Sequence, residues 1–198
     1  MLLSRKYFSK AGELFRLALP VMLAQLGYVA VQVADTAMVG QYSGADTTPL
    51  AAVAFGTGIS WIFFFSCIGL AIGLTPVIGE LFVQNRKQEM SHYLQTSLVL
   101  YPLFGLVCMG LQIASEPLLY HLDQPVEVVD MALPYYRLMA YGLPFVMLYG
   151  AIKQFLEGVG NTKSAMIVAV IANVVNVVLN YIFIFGECGF EAMGSYGA

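Results

Sequence analysis

Residues 164–186 read SAMIVAVIANVVNVVLNYIFIFG, a run without a single Asp, Glu, Lys or Arg. About 20 such residues cross the roughly 30 Å hydrocarbon layer as a helix, so this stretch predicts a transmembrane helix. Its only strongly polar side chains are Asn173, Asn176 and Asn180. Steps of three and four put all three on one helix face. A polar seam of this kind turns toward protein or a water-filled cavity rather than lipid.

Outward from this run the same texture recurs. Residues 17–34, 50–79 and 93–115 are free of charged side chains, and 131–152 contains only Arg137. The chain as a whole has 198 residues, 59% hydrophobic and 11% charged, with a mean hydropathy of +0.76. A soluble domain of this length carries about a quarter charged residues, and one core cannot hide so many apolar side chains. The reading is an all-α, polytopic membrane protein with five helices over roughly 14–39, 50–83, 91–115, 131–157 and 163–186. The second is long: residues 50–79 span about 45 Å as a helix, which calls for tilt, and Pro76 marks a place to kink it. Pro20, Pro102 and Pro144 fall inside other apolar runs as further possible kinks. The first helix follows Arg5, Lys6 and Lys10, as in a signal peptide, but its apolar run exceeds the usual 7 to 15 residues and lacks a small-x-small cleavage site. It is read as retained.

Charge excludes several functions. Nine Lys and Arg against twelve Asp and Glu leave a net charge of −3, with no basic face for a nucleic-acid backbone. Cys67, Cys108 and Cys188 lack CxxC spacing, and neither His92 nor His121 sits in a hydrolase or zinc motif. No enzyme and no resident cofactor are expected. The positive residues Arg5, Lys6, Lys10, Arg16, Arg86, Lys87 and Lys163 all fall on one side of the five-helix scheme, which is the cytoplasmic side by the positive-inside rule. Residues 1–13 are then a cytoplasmic N-terminal segment. The other side carries Asp46, Glu116, Asp123, Glu127, Asp130, Glu187 and Glu191. Arg137, near the outer end of helix four, is the exception, expected to snorkel or pair with a loop carboxylate. Residues 187–198 read as an extracytoplasmic connector cut off before another helix.

Helix one carries its own seam: Gln25, Tyr28, Gln32 and Asp35, at steps of three, four and three. Asp35 lies about 27 Å beyond Leu17, and Asn180 about 24 Å beyond Ser164, so in two helices running the same way they reach similar depths. One carboxylate with several amide oxygens suits Na⁺, or a carboxyl group that carries a proton. Asp35, Asn176 and Asn180 are the candidate cation site; Gln25, Tyr28, Gln32 and Asn173 are candidate cavity-lining or packing residues. Asn and Gln also serve as glue between membrane helices. Glu80, and Glu157 with Lys153, sit at the interface as solvated or paired charges. Trp61 and residues 63–65 (Phe-Phe-Phe) can face lipid, pack, or line a pocket for a hydrophobic cation.

Taken together, Leu19-Pro20, Val33-Ala-Asp35-Thr-Ala-Met-Val-Gly40, Leu50-Ala-Ala52, Phe155-Leu-Glu-Gly158-Val-Gly160-Asn-Thr-Lys163 and Asn176-Val-Val-Leu-Asn180-Tyr-Ile-Phe-Ile-Phe-Gly186 resemble the multidrug and toxic compound extrusion (MATE) family. The resemblance covers nearly the whole chain. It implies five helices of a six-helix N-terminal lobe in a twelve-helix transporter, exchanging Na⁺ or H⁺ for organic, often cationic, drug-like compounds in a cell membrane. It also implies a cation site at Asp35, Asn176 and Asn180. The position of Asn180 is an aspartate in some members, so one carboxylate fewer leaves Na⁺ and H⁺ both open. Helix six and the second lobe, which complete such a transporter, are absent from the chain. The rival readings are a flippase for a lipid-linked saccharide, for which a strongly basic cavity is expected, and a non-transporting membrane fragment in which the seams are packing glue.

Overall fold

The computed structural model describes residues 2–43 and 48–186. Asp46 and the expected connector at 187–198 lie outside them. The described residues form seven helices and no strand: α1 (Leu2–Ser43), α2 (Thr48–Ile72), α3 (Leu74–Val83), α4 (Lys87–Ala114), α5 (Glu116–Leu119), α6 (Val126–Gly158) and α7 (Thr162–Phe185).

Four stretches are long and apolar enough to cross a membrane: Leu14–Met38, Thr48–Val83, Lys87–Ala114 and Thr162–Ile184. The fifth expected helix is present as α6, 33 residues and so about 50 Å long. It is less apolar because Arg137 and several tyrosines interrupt it. α1 begins at Leu2 rather than near residue 14, since residues 2–11 contain neither Pro nor Gly to stop a helix that runs on from the apolar part.

The long second helix is broken. α2 ends at Ile72 and α3 starts at Leu74, with Gly73 between them donating to Leu70 O at 3.3 Å. Pro76 is the cause: it has no N–H to offer, and its ring would collide with the carbonyl of Ile72 in a continuous helix. α3 closes with Asn85 in the left-handed region (φ 57), where Arg86 N reaches back to Leu81 O at 3.0 Å. That pattern ties up carbonyls which a helix end leaves open.

α6 is the centre of the bundle, packed against α2, α3 and α4, while α1 packs chiefly on α7. The main core joins Cys67, Ala71, Leu74 and Ile78 of α2 and α3 to Tyr101 and Cys108 of α4 and to Leu143, Met147 and Ala151 of α6. α4 and α6 come close enough at Gly105 that a Cβ there would lie 2.7 Å from the Cα of Pro144. Cys67 and Cys108, unrelated by any sequence motif, bring their thiols within hydrogen-bonding reach in this core.

Polar groups inside the bundle are paired across helices. Gln112 is fully buried and donates to Ser60 Oγ (3.0 Å) and to Tyr136 O (3.1 Å), linking α4, α2 and α6. Thr75 donates to Gln154 Oε1 at 2.5 Å, linking α3 and α6. Arg137 pairs with a carboxylate, which the structure places at the start of the short α5 rather than in a loop: Nε and Nη2 fork onto Glu116 at 2.8 and 2.6 Å. Lys153 Nζ lies 3.7 Å from Glu157 Oε1.

Candidate functional site

The two polar seams meet. α1 and α7 run side by side, and Asn180 Nδ2 donates to Asp35 Oδ1 at 2.8 Å across that interface. The same amide also donates to Asn176 Oδ1, one turn back on α7, at 3.3 Å. Asn180 is buried, at 6% exposure, whereas Asn176 is exposed and Asp35 half-buried. The site therefore sits at an edge of the α1–α7 pair, open on the Asn176 side.

Local sequence explains how the pieces arrive. Asn161 caps α7 by accepting from Ser164 N at 3.3 Å, which sets where the helix starts and so the phase of its asparagines. Gly27 lets α7 approach, since a Cβ there would stand 2.9 Å from Asn173 Nδ2. Asn173 thus serves as a packing residue against α1. Tyr28 and Gln32 lie one turn apart within hydrogen-bonding reach, on the path to Asp35. Gln25 is exposed and not drawn into the cluster.

Tyr28 also turns toward α2. Its ring lies edge-on to Trp61 at 6.4 Å and stacks on Phe64 at 6.5 Å, and Trp61 in turn stacks on Phe65 at 4.9 Å. Of the aromatic run, Phe63 and Phe64 pack on the main core and Phe65 remains exposed. Two polar contributions were not read from the sequence: Thr36, whose hydroxyl donates to Gln32 O at 2.9 Å beside Asp35, and the Gln112 network. A glutamine deep in the apolar run 93–115, at position 112, was the available signal for the second.

The donor set is one carboxylate and two carboxamides, all hard oxygen ligands in reach of one another. An ionised carboxylate accepts only, which fits the amide N–H turned toward Asp35. A cation at Asp35 reverses that preference and favours the amide oxygen instead.

The sequence pattern of the MatE family matches residues 20–182, which include Asp35, Asn176 and Asn180. The chain belongs to the MatE family. A relative of this MatE chain, the multidrug resistance protein MdtK of Cronobacter sakazakii (strain ATCC BAA-894), is 33% identical over 195 residues, covering 98% of this chain and 42% of its own. This MatE chain thus spans less than half the length of that relative. Two solved structures share its fold at a TM-score of 0.75, each over 92% of this chain and 39% of its own: an outward-facing multidrug resistance MATE family transporter of the MOP superfamily, at 24% identity, and a MOP superfamily transporter from Pyrococcus furiosus, at 22%. Both of those solved structures are of transporters, and this MatE chain is a multi-pass membrane protein.

Proposed function

We propose that this chain supplies the cation-binding part of a secondary multidrug efflux transporter. In this reading Na⁺ or H⁺ moves inward at Asp35, Asn176 and Asn180 while an organic, often cationic, compound moves outward through a cavity completed by a second lobe. In this reading the membrane is the cell membrane, and the N-terminus is cytoplasmic, following the distribution of Lys and Arg.

The observation that carries the reading is the 2.8 Å bond from Asn180 to Asp35, an ionisable group held at a helix interface inside an apolar fold. When a cation or proton arrives at Asp35, the Asn180 amide no longer has a bare carboxylate to donate to. Turning its oxygen inward changes the contact between α1 and α7, and so shifts the balance between two packings of the lobe. Coupling is reciprocal: whatever the cation does to substrate affinity, substrate does to cation affinity. A membrane potential adds about 2.3 kcal/mol per charge per 100 mV, enough to bias such a switch.

The test is reconstitution of the complete protein in liposomes with an imposed Na⁺ or pH gradient and a fluorescent organic cation as substrate. Asp35→Asn should abolish gradient-driven efflux while the protein still inserts. Efflux that persisted with the same cation dependence would remove Asp35 from the coupling role.

A further inference from the structure

The turn between α6 and α7 carries Gly158-Val-Gly160-Asn-Thr-Lys163, a motif with no part in the cation site. Gly160 adopts φ +77 and Asn161 N reaches back to Leu156 O at 2.9 Å, so the chain reverses tightly and starts α7 with Thr162. Asn161 Oδ1 occupies Ser164 N. The amides of Thr162 and Lys163, the first two of a 24-residue helix, have no partner among the described residues. Such a helix start is electropositive.

Three further features converge there. A cavity of about 400 Å³ opens between α1 and this turn, lined by Arg16, Leu17, Gly160, Asn161, Thr162 and Lys163. Two of these are cations, and among the described residues no carboxylate lines it. Thr162 is 7% exposed, faces the cavity, and its hydroxyl has no hydrogen-bond partner among the described residues. The residue is mostly buried while its hydroxyl opens onto the cavity, and that hydroxyl, two cations and the free amides together present donors and positive charge that suit an acceptor of negative charge.

We infer that this cavity binds the phosphodiester headgroup of an anionic phospholipid. Arg16 and Lys163 supply charge, the free amides and the Thr162 hydroxyl supply donors, and phosphate oxygens match all of them. The surroundings favour a lipid over free phosphate. Leu17, which lines the cavity, is 46% exposed, and Leu14 and Ile167, about one turn along α1 and α7 from the lining residues Leu17 and Lys163, are 68% and 52% exposed, an apolar wall for acyl chains. The site lies at the membrane face that holds the Lys and Arg residues; naming that leaflet cytoplasmic rests on the orientation proposed above, but binding does not.

The test uses the complete protein that carries this chain, stripped of lipid in a neutral detergent, with native mass spectrometry as readout and phosphatidylglycerol as probe. Phosphatidylcholine, soluble glycerophosphoglycerol and inorganic phosphate serve as comparisons. Phosphatidylglycerol should be retained at least tenfold more tightly than the other three. The double variant Arg16→Gln/Lys163→Gln should erase that preference, whereas Arg86→Gln/Lys87→Gln, at the other positive turn, should leave it intact. Thr162→Val, nearly isosteric, should weaken binding severalfold and keeps the test alive should the double variant fail to fold. Equal loss in both double variants, or unchanged binding in Thr162→Val, overturns the site. Equal binding of inorganic phosphate overturns the lipid assignment. Retention of efflux by Asp35→Asn bears on the cation site alone.

Discussion

Asp35 and Gln112 show two fates for a polar side chain among membrane helices. Among the described residues Asp35 is met by a single amide, and it stays half-buried at an open edge, which in the proposed function lets a cation take that partner's place. Gln112 is sealed in the bundle, with both amide hydrogens used and its Oε1 unpaired. That orphan oxygen offsets part of what the two bonds contribute. Gln112→Leu is therefore expected to lower stability by no more than about 1 kcal/mol, whereas Gln112→Ala, which also leaves a cavity, should cost about 2 kcal/mol or more. Thermal unfolding of both variants in the same detergent checks the order; a larger loss in Gln112→Leu would mean that the hydrogen bonds outweigh the packing at this position. Replacing Asn180 by Asp introduces a second carboxylate and should alter the cation dependence of efflux without abolishing it, as read in the same liposomes.

Helices are held together here by close backbone approach as much as by side-chain bulk. At Gly105 the obstacle to a Cβ is the backbone of Leu143 and Pro144, at 2.7 to 3.0 Å, which cannot swing aside. Gly105→Ala should destabilise by about 1–3 kcal/mol through overpacking. Gly110→Ala, five residues on in the same helix with nothing within 4 Å, should be neutral or slightly stabilising. Equal melting temperatures for the two variants would contradict the α4–α6 contact. The short α5 is fastened to α6 by the fork of Arg137 on Glu116. Hydrogen bonds from the guanidinium hold the Glu116 carboxyl below its usual range. The stability this pair lends is thus present above the ordinary carboxylate range and fades as pH falls through it and below. Glu116→Gln should remove that part of the acid dependence, measurable by melting between neutral and acid pH.

At the scale of the molecule, α1 and α7 form a pair set beside the bundle around α6, and the aromatic group of Tyr28, Trp61 and Phe64 bridges α1 to α2. Trp61 is the sole tryptophan in the chain. If charge at Asp35 shifts α1, the surroundings of Trp61 shift with it. In the complete protein, with any tryptophan outside this chain replaced by phenylalanine, its emission is expected to change on adding Na⁺ or lowering pH, and to lose that response in Asp35→Asn. A spectrum indifferent to cation in the unmodified protein would mean that α1 does not move relative to α2.

Much of this was legible in the residues themselves. Uncharged runs mark the membrane helices, and steps of three and four mark the seams of Gln25 to Asp35 and Asn173 to Asn180, because helical periodicity is a local property of the chain. Depth along each helix follows from 1.5 Å per residue, which is why Asp35 and Asn180 could be expected at one level. Whether they face each other depends on how each helix is rotated and which neighbour it meets, and packing between distant segments decides that. The same packing separates Asn173, spent against Gly27, from Asn180, turned to Asp35. It also brings Cys67 to Cys108, buries Gln112 between three helices, and sets Thr162 beside Arg16. None of these pairings leaves a period or a spacing in the sequence, because the residues involved belong to different helices whose relative placement is a property of the assembled fold.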